Sequence, residues 1–206
     1  MRDAKLSANV EQRIVTSLEE SLQVKQALLG NRALIKTIAG VGQEMVRALS
    51  LGRKIFFFGN GGSASDAEHL AAEFVVRFER ERRPLPAIAL SGNTSILTAA
   101  GNDFTYDAVF ARHLEALGSA GDMAIGISTS GKSPNVIKAI QAGKKLHLIT
   151  VGMTGQQGEE LAGVVDHCIR IPSKRTSRIQ EAHILIGHIL CEIVEEELFS
   201  EHGRTA

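Results

Sequence analysis

The sequence predicts an α/β fold in which a five-stranded parallel sheet alternates with helices behind an N-terminal helical lead-in. Five short apolar runs are separated by stretches long enough for a helix, at residues 54–58, 86–90, 123–127, 147–151 and 166–171. Continuous apolar strands that alternate with helices are typical of a parallel sheet covered on both faces. Because no linker, low-complexity tract or strong repeat interrupts the 206 residues, we expect one domain over 1–206, with the core at 53–206.

The lead-in, residues 1–52, is predicted to be helical. The first 50 residues contain no proline, and apolar residues recur there at roughly helical spacing: Ile14, Leu18, Leu22, Val24 and Leu28. A second helix is expected over 33–51, where Gly52 ends it. These helices are expected to pack on the sheet, on another subunit, or on both.

Composition excludes several classes of function. The chain has 23 Lys and Arg residues against 23 Asp and Glu, so no broad field favours direct binding of nucleic acid. The Arg-rich segment 77–83 contains two glutamates and favours a solvated helix end and loop. No stretch approaches the ~20 apolar residues that span a membrane. The N-terminus lacks the apolar run of a signal peptide, and Cys168 and Cys191 are far apart, so we expect free thiols and a cytoplasmic location.

Two donor-rich loops predict a phosphate site. The first, GNGGSAS at 59–65, follows a predicted strand and opens a helix, so its backbone N–H groups favour an anion. It lacks the GK[ST] ending of a P-loop and does not match GxGxxG. The second, STSGKSPN at 128–135, carries four hydroxyls. An ordinary strand-to-helix turn or a serine-rich N-cap is the alternative for each loop alone. Two such loops at the carboxyl ends of strands in one sheet predict a ligand crevice.

Two helices carry chemistry-bearing side chains. On the helix after the first loop, one side is an apolar stripe (Ala67, Leu70, Ala71, Phe74, Val75 and Phe78) and the other is a polar row (Asp66, His69, Glu73 and Arg77). His69 and Glu73 are four residues apart and therefore neighbours. A solvent-exposed polar face is the alternative. The last helix, 176–199, is apolar nearly all round from 179 to 194, yet it contains Gln180, Glu181, His183 and His188. A core histidine with a satisfied hydrogen bond is the alternative there.

These segments resemble the phosphoheptose isomerases, members of the sugar isomerase (SIS) domain family. The resemblance rests on GNGGSASDAEHLAAEF, PAIAL, AGNDF, GISTSGKSPNVIKAI and RIQEAHILIGHIL, which occur in order over nearly the whole chain. It implies a doubly wound, flavodoxin-like strand order, a homotetramer with active sites near subunit interfaces, and conversion of sedoheptulose 7-phosphate to D-glycero-D-manno-heptose 7-phosphate through an enediol.

The resemblance also implies roles for individual residues. It places substrate-binding groups at Asn60, Gly61, Gly62, Ser63, Arg77, Ser128, Thr129, Ser130, Ser133 and Gln180. It places the ligands of one divalent metal, zinc, at His69, Glu73, Gln180 and His188, and the acid–base pair at Glu73 and His188. The chain departs from some members at Gly92 and Asn93, and again at Ser177, where those members carry aspartate. The departures concern recognition of substrate hydroxyls rather than of phosphate.

Two alternatives belong to other functional classes. The closing segment also resembles the DnaA initiator-associating proteins, non-catalytic SIS-domain adaptors in replication initiation, which tend to lose metal-site residues. A non-catalytic sugar-phosphate sensor would keep the two loops without needing both Glu73 and His188. Because this chain retains all four residues of the implied metal set, the sequence favours the enzyme.

Overall fold

The protein is built on one five-stranded sheet with every neighbouring pair of strands parallel. The computed structural model describes the backbone of residues 2–200 and the side chains of residues 9–200. The strands are β1 (Ile55–Gly59), β2 (Ala87–Ala89), β3 (Met123–Ser128), β4 (Ile149–Thr154) and β5 (His167–Arg170). Their order is β2-β1-β3-β4-β5, with parallel pairing throughout. This doubly wound order confirms the predicted fold class.

The strand positions agree with the sequence, but their ends differ. β4 was predicted over 147–151 and begins two residues later, because residues 146–148 form the turn that leaves the preceding helix. In that turn His147 adopts a φ of 60° and donates its N–H to the Lys144 carbonyl. β2 and β5 are shorter than predicted, since each lies at a sheet edge and pairs with a single neighbour.

Eight helices are found in residues 2–200. They are α1 (Arg2–Gly30), α2 (Arg32–Ser50), α3 (Gly62–Val75), α4 (Thr94–Asp103), α5 (Val109–Leu117), α6 (Pro134–Lys145), α7 (Glu159–Ala162) and α8 (Thr176–Phe199). A short 3₁₀ turn, Tyr106–Ala108, precedes α5. The helical lead-in is confirmed as two helices. Asn31 separates them and caps α2, since its side-chain oxygen accepts the N–H of Leu34 at 3.0 Å.

The sheet separates two hydrophobic cores. Along β1, Ile55 and Phe57 join the core formed with α2, α3 and α8, whereas Phe56 and Phe58 join the core formed with α5 and α6. All four side chains are buried. Successive side chains of a strand point to opposite faces, so a run of apolar residues serves both cores at once. Both faces of the sheet are covered, as the apolar strands predicted.

The lead-in packs on this body only in part. Val24 and Leu28 of α1 contact the core that includes α8, and Ser21 Oγ donates to Glu181 Oε2 at 2.8 Å. Nearer the N-terminal end of α1, five large apolar side chains of the described residues are exposed: Val10, Ile14, Val15, Leu18 and Leu22. One end of α1 is therefore anchored to α8, and the other presents an apolar surface.

None of the helices in residues 2–200 combines the length and apolar character that crossing a bilayer requires.

Candidate active site

The first loop connects β1 to α3 and lies against the start of α8. Gly61 is the N-cap of α3 with a φ of 55°, and Ser63 is buried in the first turn of that helix. A Cβ added at Gly62 would collide with the side-chain amide of Gln180. The absence of a side chain at Gly62 therefore lets α8 place Gln180 directly against the beginning of α3.

The second loop gathers its hydroxyls around the end of β3. Ser128 Oγ lies 3.4 Å from Ser130 Oγ and 3.0 Å from Ser133 Oγ, and the N–H of Gly131 donates to Ser128 Oγ at 3.2 Å. A cleft of ≈ 280 Å³ opens beside this loop, and its lining includes Thr129, Ser130, Lys132, Thr176 and Ile179. The loop thus presents clustered hydroxyls next to a cleft bordered by a lysine.

A pair of asparagines joins the two loops. Asn60 Nδ2 donates to Asn135 Oδ1 at 2.9 Å, and Asn135 Nδ2 donates back to Asn60 Oδ1 at 2.8 Å. The hydroxyl of Tyr106 also donates to Asn60 Oδ1, at 3.1 Å. An amide side chain offers two acceptor sites and two donor hydrogens. These bonds engage both acceptor sites and one hydrogen of Asn60, so its amide keeps one N–H donor for an acceptor on a ligand.

His69, Glu73 and His188 converge from two helices. His69 Nε2 lies 3.0 Å from His188 Nε2 and 3.3 Å from Glu73 Oε1, and one ligand atom from each residue lies within 4.8 Å of the others. Gly187 makes the approach of α8 possible, since a Cβ there would lie 2.6 Å from a methyl of Leu70 on α3. Two imidazoles and a carboxylate are a donor set that suits zinc. The group can hold a divalent metal.

Asp66 lies one turn before His69 on α3, where it meets Gln180 of α8. Burial raises the pKa of Asp66 to about 6, while the charge of His69 and a hydrogen bond with Gln180 act in the opposite direction. Asp66 is buried and Glu73 is partly buried, so the polar row is not the uniformly solvated face that was the alternative. Gln180 thus contacts Gly62 and Asp66, and its role as a fourth metal ligand stays a prediction.

Comparison with known proteins shows the family of this chain. The family model for the SIS domain matches residues 21–155. A phosphoheptose isomerase from Aneurinibacillus thermoaerophilus is 50% identical over 186 residues, which cover 90% of this chain and 94% of that protein. One from Thermodesulfovibrio yellowstonii is 51% identical over 191 residues, or 92% and 94% of the two chains. The chain belongs to the phosphoheptose isomerase family.

Solved structures from the family share the fold. A phosphoheptose isomerase from Neisseria gonorrhoeae superposes with a TM-score of 0.85 at 38% identity, covering 91% of this chain and 99% of that one. The enzyme from Francisella tularensis gives a TM-score of 0.86 at 36% identity, covering 90% and 97%. The parallel sheet and helical N-terminal segment are therefore those of phosphoheptose isomerases.

Helix α3 is shorter than the sequence predicted. It ends at Val75, so Arg77 and Phe78 lie beyond it in an irregular segment, and Arg77 is exposed. The prediction of a solvated loop over 77–83 is wrong at Arg82, whose side chain is only 2% exposed and contacts Glu195 Oε1 at 2.8 Å. Bonds from Arg82 and Glu195 hold this segment away from helical geometry.

Several residues in and around the candidate site were not predicted from the sequence to take part in it. The ring of Phe78 stacks on His188 with centroids 5.4 Å apart and an interplanar angle of 27°. Asn135 could have been found, because it belongs to the second loop motif. Tyr106 and Glu195 carried no usable signal, since Tyr106 follows an unrelated helix and Glu195 lies in a run of three glutamates that is typical of an exposed face.

His183 also differs from expectation. It is buried in α8, yet neither ring nitrogen has a hydrogen-bond partner among the described residues. The backbone of Thr154 lies beside the ring without hydrogen-bond geometry, and burial lowers the pKa of His183 to about 4. The alternative of a core histidine with a satisfied hydrogen bond therefore does not describe His183, and His188 belongs to the cluster with His69.

Proposed function

We propose that the protein interconverts sedoheptulose 7-phosphate and D-glycero-D-manno-heptose 7-phosphate by ketose–aldose isomerisation. The observation that carries the proposal is the convergence of His69, Glu73 and His188 from helices that begin at or near the two donor-rich loops. The name of the relatives at about half identity agrees with this chemistry. A replication adaptor or a sugar-phosphate sensor has no need for this cluster, so both alternatives are less favoured.

The phosphate end of the sugar binds at the two loops. The proposed groups are the amide of Asn60, the backbone of Gly61 and Gly62, and the hydroxyls of Ser63, Ser128, Thr129, Ser130 and Ser133. Neutral donors at the starts of α3 and α6 suit a phosphate, because each helix start adds partial positive charge. Anchoring the far end of an open-chain sugar fixes the reacting carbons, which lowers the entropic part of the barrier.

Glu73 and His188 carry the proton transfers. Glu73 takes a proton from C1 of the ketose and returns it to C2, while His188 moves a proton between the oxygens on C2 and C1. The enediol lies between the two transfers, and the atoms balance because every proton removed is returned. Gln180 and Arg77 are proposed to contact the substrate chain.

A divalent metal, zinc, is proposed at the same site. His69, Glu73, Gln180 and His188 would hold it, and the three that the structure groups together form a donor set suited to zinc. A bound metal ion would supply Lewis-acid stabilisation of negative charge on the substrate oxygens. Gln180 lies against Gly62 at the start of α3, within the region where the two helices meet.

The protein is further proposed to be a single-domain homotetramer in the cytoplasm. The exposed apolar residues of α1, Val10, Ile14, Leu18 and Leu22, provide a surface for another subunit. Arg77 is exposed in the irregular segment after α3 and would reach a neighbouring subunit's substrate. Cys168 and Cys191 are free thiols, which suits a reducing compartment.

The test is direct observation of the sugar by NMR. Sedoheptulose 7-phosphate incubated with the protein should yield aldose signals, and Glu73→Gln should slow turnover by about 10²-fold or more because it removes the base but keeps the shape. Glu68→Gln is a matched control, since Glu68 is exposed on the same helix. A folded Glu73→Gln protein that isomerises the sugar at the wild-type rate would overturn the mechanism.

A further inference from the structure

Glu195 is a buried carboxylate with four hydrogen bonds. Its Oε1 accepts the N–H of Phe78 at 3.0 Å and Arg82 Nε at 2.8 Å. Its Oε2 accepts the N–H of Glu79 at 3.0 Å and of Arg80 at 2.9 Å. Burial alone raises the pKa of Glu195, but the three backbone donors and Arg82 together hold that pKa below its usual value. Glu195 is therefore a buried anion that α8 contributes to the irregular segment after α3.

Arg82 extends this arrangement to the end of α3. Its guanidinium donates to the carbonyl of Phe74 at 2.8 Å and to the carbonyl of Glu73 at 2.7 Å. The last carbonyls of a helix have no partner within the helix, so Arg82 supplies a donor to the Glu73 carbonyl and a second donor to the Phe74 carbonyl, which also accepts the N–H of Leu85 at 3.0 Å. The segment is thus attached both to α8 and to the helix that carries Glu73.

Phe78 connects the contacts of Glu195 and Arg82 to the candidate active site. Its backbone N–H is held by Glu195, and its ring stacks on the imidazole of His188. Glu195 and His188 are two turns apart on α8. The segment after α3 therefore contacts α8 at two places: at Glu195 through backbone hydrogen bonds, and at His188 through the ring of Phe78. The same imidazole faces His69, with the two Nε2 atoms 3.0 Å apart. His188 therefore contacts both the Phe78 ring and another member of the His69, Glu73 and His188 cluster.

We propose that Glu195 and Phe78 are positioning residues of the isomerase: Glu195 fixes the backbone of Phe78, and the ring of Phe78 holds the orientation of His188. This inference rests on the proposed function for its effect on turnover, but the contact itself is independent of it. A carboxylate that accepts three consecutive backbone N–H groups fixes the loop more closely than packing would. A stacked ring restricts rotation of the imidazole about its χ angles.

The first experiment compares three variants at Phe78 and Phe110. Phe78→Leu keeps an apolar side chain but removes the stack, so kcat should fall by about tenfold with KM unchanged, because small misplacements of catalytic groups are costly. Phe78→Tyr keeps the ring and should restore kcat to near the wild-type value. Phe110→Leu is the matched control, since the ring of Phe110 packs on Phe58 in the core on the face of the sheet opposite α8. It should leave kcat unchanged at a similar loss of thermal stability.

The second experiment follows the link from Glu195. Glu195→Gln replaces an oxygen by an NH₂ group that faces N–H donors. The loop should therefore loosen, and kcat should fall as it does in Phe78→Leu. If Glu195 acts through Phe78, the double variant with Phe78→Leu should lose less than the product of the two single effects. Fully multiplicative losses would show independent actions and overturn the proposed link.

An NMR measurement separates this inference from the proposed function. The ring resonances of His188, assigned by their disappearance in His188→Gln, should shift in Phe78→Leu and in Glu195→Gln but not in Phe110→Leu. This shift is expected whether or not the protein isomerises the sugar. Unshifted resonances, or an unchanged kcat beside shifted resonances, would overturn the positioning role, whereas a wild-type protein inactive on sedoheptulose 7-phosphate would overturn the proposed function alone.

Discussion

The Nε2 atoms of His69 and His188 lie 3.0 Å apart, although the two residues are 119 positions apart in the chain. Two imidazole lone pairs at this distance repel unless a proton or a cation lies between them. Glu73 Oε1, 3.3 Å from His69 Nε2, adds negative charge on the same side. The cluster is therefore arranged to take up positive charge.

We expect zinc affinity to depend on this pair of histidines. His69→Ala removes one imidazole from the donor set, so metal content measured by elemental analysis after dialysis should fall to a small fraction of one per chain. A removed ligand usually costs much of a site's affinity, because the remaining donors complete the coordination only with water. His167→Ala, a histidine on β5 outside the cluster, should retain wild-type metal content. Equal metal content in both variants would contradict a metal at this site.

Removing a hydroxyl from the second loop should weaken binding of the sugar phosphate. Ser130→Ala, made in the Glu73→Gln background so that turnover is slow during the measurement, should raise Kd by about tenfold or more, since a hydrogen bond to a charged group contributes about 1.5–3 kcal/mol. Calorimetry with sedoheptulose 7-phosphate measures the change. Ser50→Ala serves as control, because that hydroxyl lies at the exposed end of α2. Unchanged affinity for Ser130→Ala would remove this loop from the phosphate site.

Tyr106→Phe should affect substrate binding more than turnover. The variant loses the hydroxyl that donates to Asn60 Oδ1, so the amide of Asn60 becomes less firmly oriented toward a ligand. A neutral hydrogen bond contributes about 1 kcal/mol, which predicts a rise in KM of about fivefold with kcat nearly unchanged. Steady-state kinetics give both constants. A large fall in kcat with an unaltered KM would show that Tyr106 acts on the chemistry instead.

His183 should make the protein less stable as the pH falls. Its pKa is lowered to about 4 by burial, against about 6.5 in an unfolded chain, so below pH 6.5 the unfolded state binds the proton and the folded state does not. The contribution of His183 to the free energy of unfolding is therefore fully present above the unfolded pKa of about 6.5, and it is lost as the pH falls toward 4. Linkage predicts a loss of about 2 kcal/mol between pH 7 and pH 5.

Denaturant unfolding of the wild type and of His183→Leu at both pH values measures this contribution. Leucine fills a similar volume without a titrating group, so the difference in unfolding free energy between pH 7 and pH 5 should be smaller in the variant by about 2 kcal/mol. The same pH dependence in both proteins would assign the acid sensitivity to other groups.

Local sequence determined the fold class and each half of the site separately. The apolar run at 54–58, short and followed by glycine, identified β1 because a strand buried on both faces places apolar residues such as Phe56 and Phe57 at consecutive positions. The glycines and hydroxyls of the two loops marked their positions at strand ends, and the spacing of His69 and Glu73 made them neighbours on one helix. Periodicity and turn chemistry are local properties, so a single sequence carries them.

Only the tertiary structure decided which distant residues meet. His188 reaches His69 because Gly187 lets α8 pack closely on Leu70, and Asn60 reaches Asn135 because β1 and β3 are neighbours in the sheet. Glu195 belongs to a run of glutamates that predicts a solvated face, yet it is buried because the chain after α3 brings three backbone donors and Arg82 to it. Such partners are set by the path of the chain in space, and no local pattern around Glu195 encodes them.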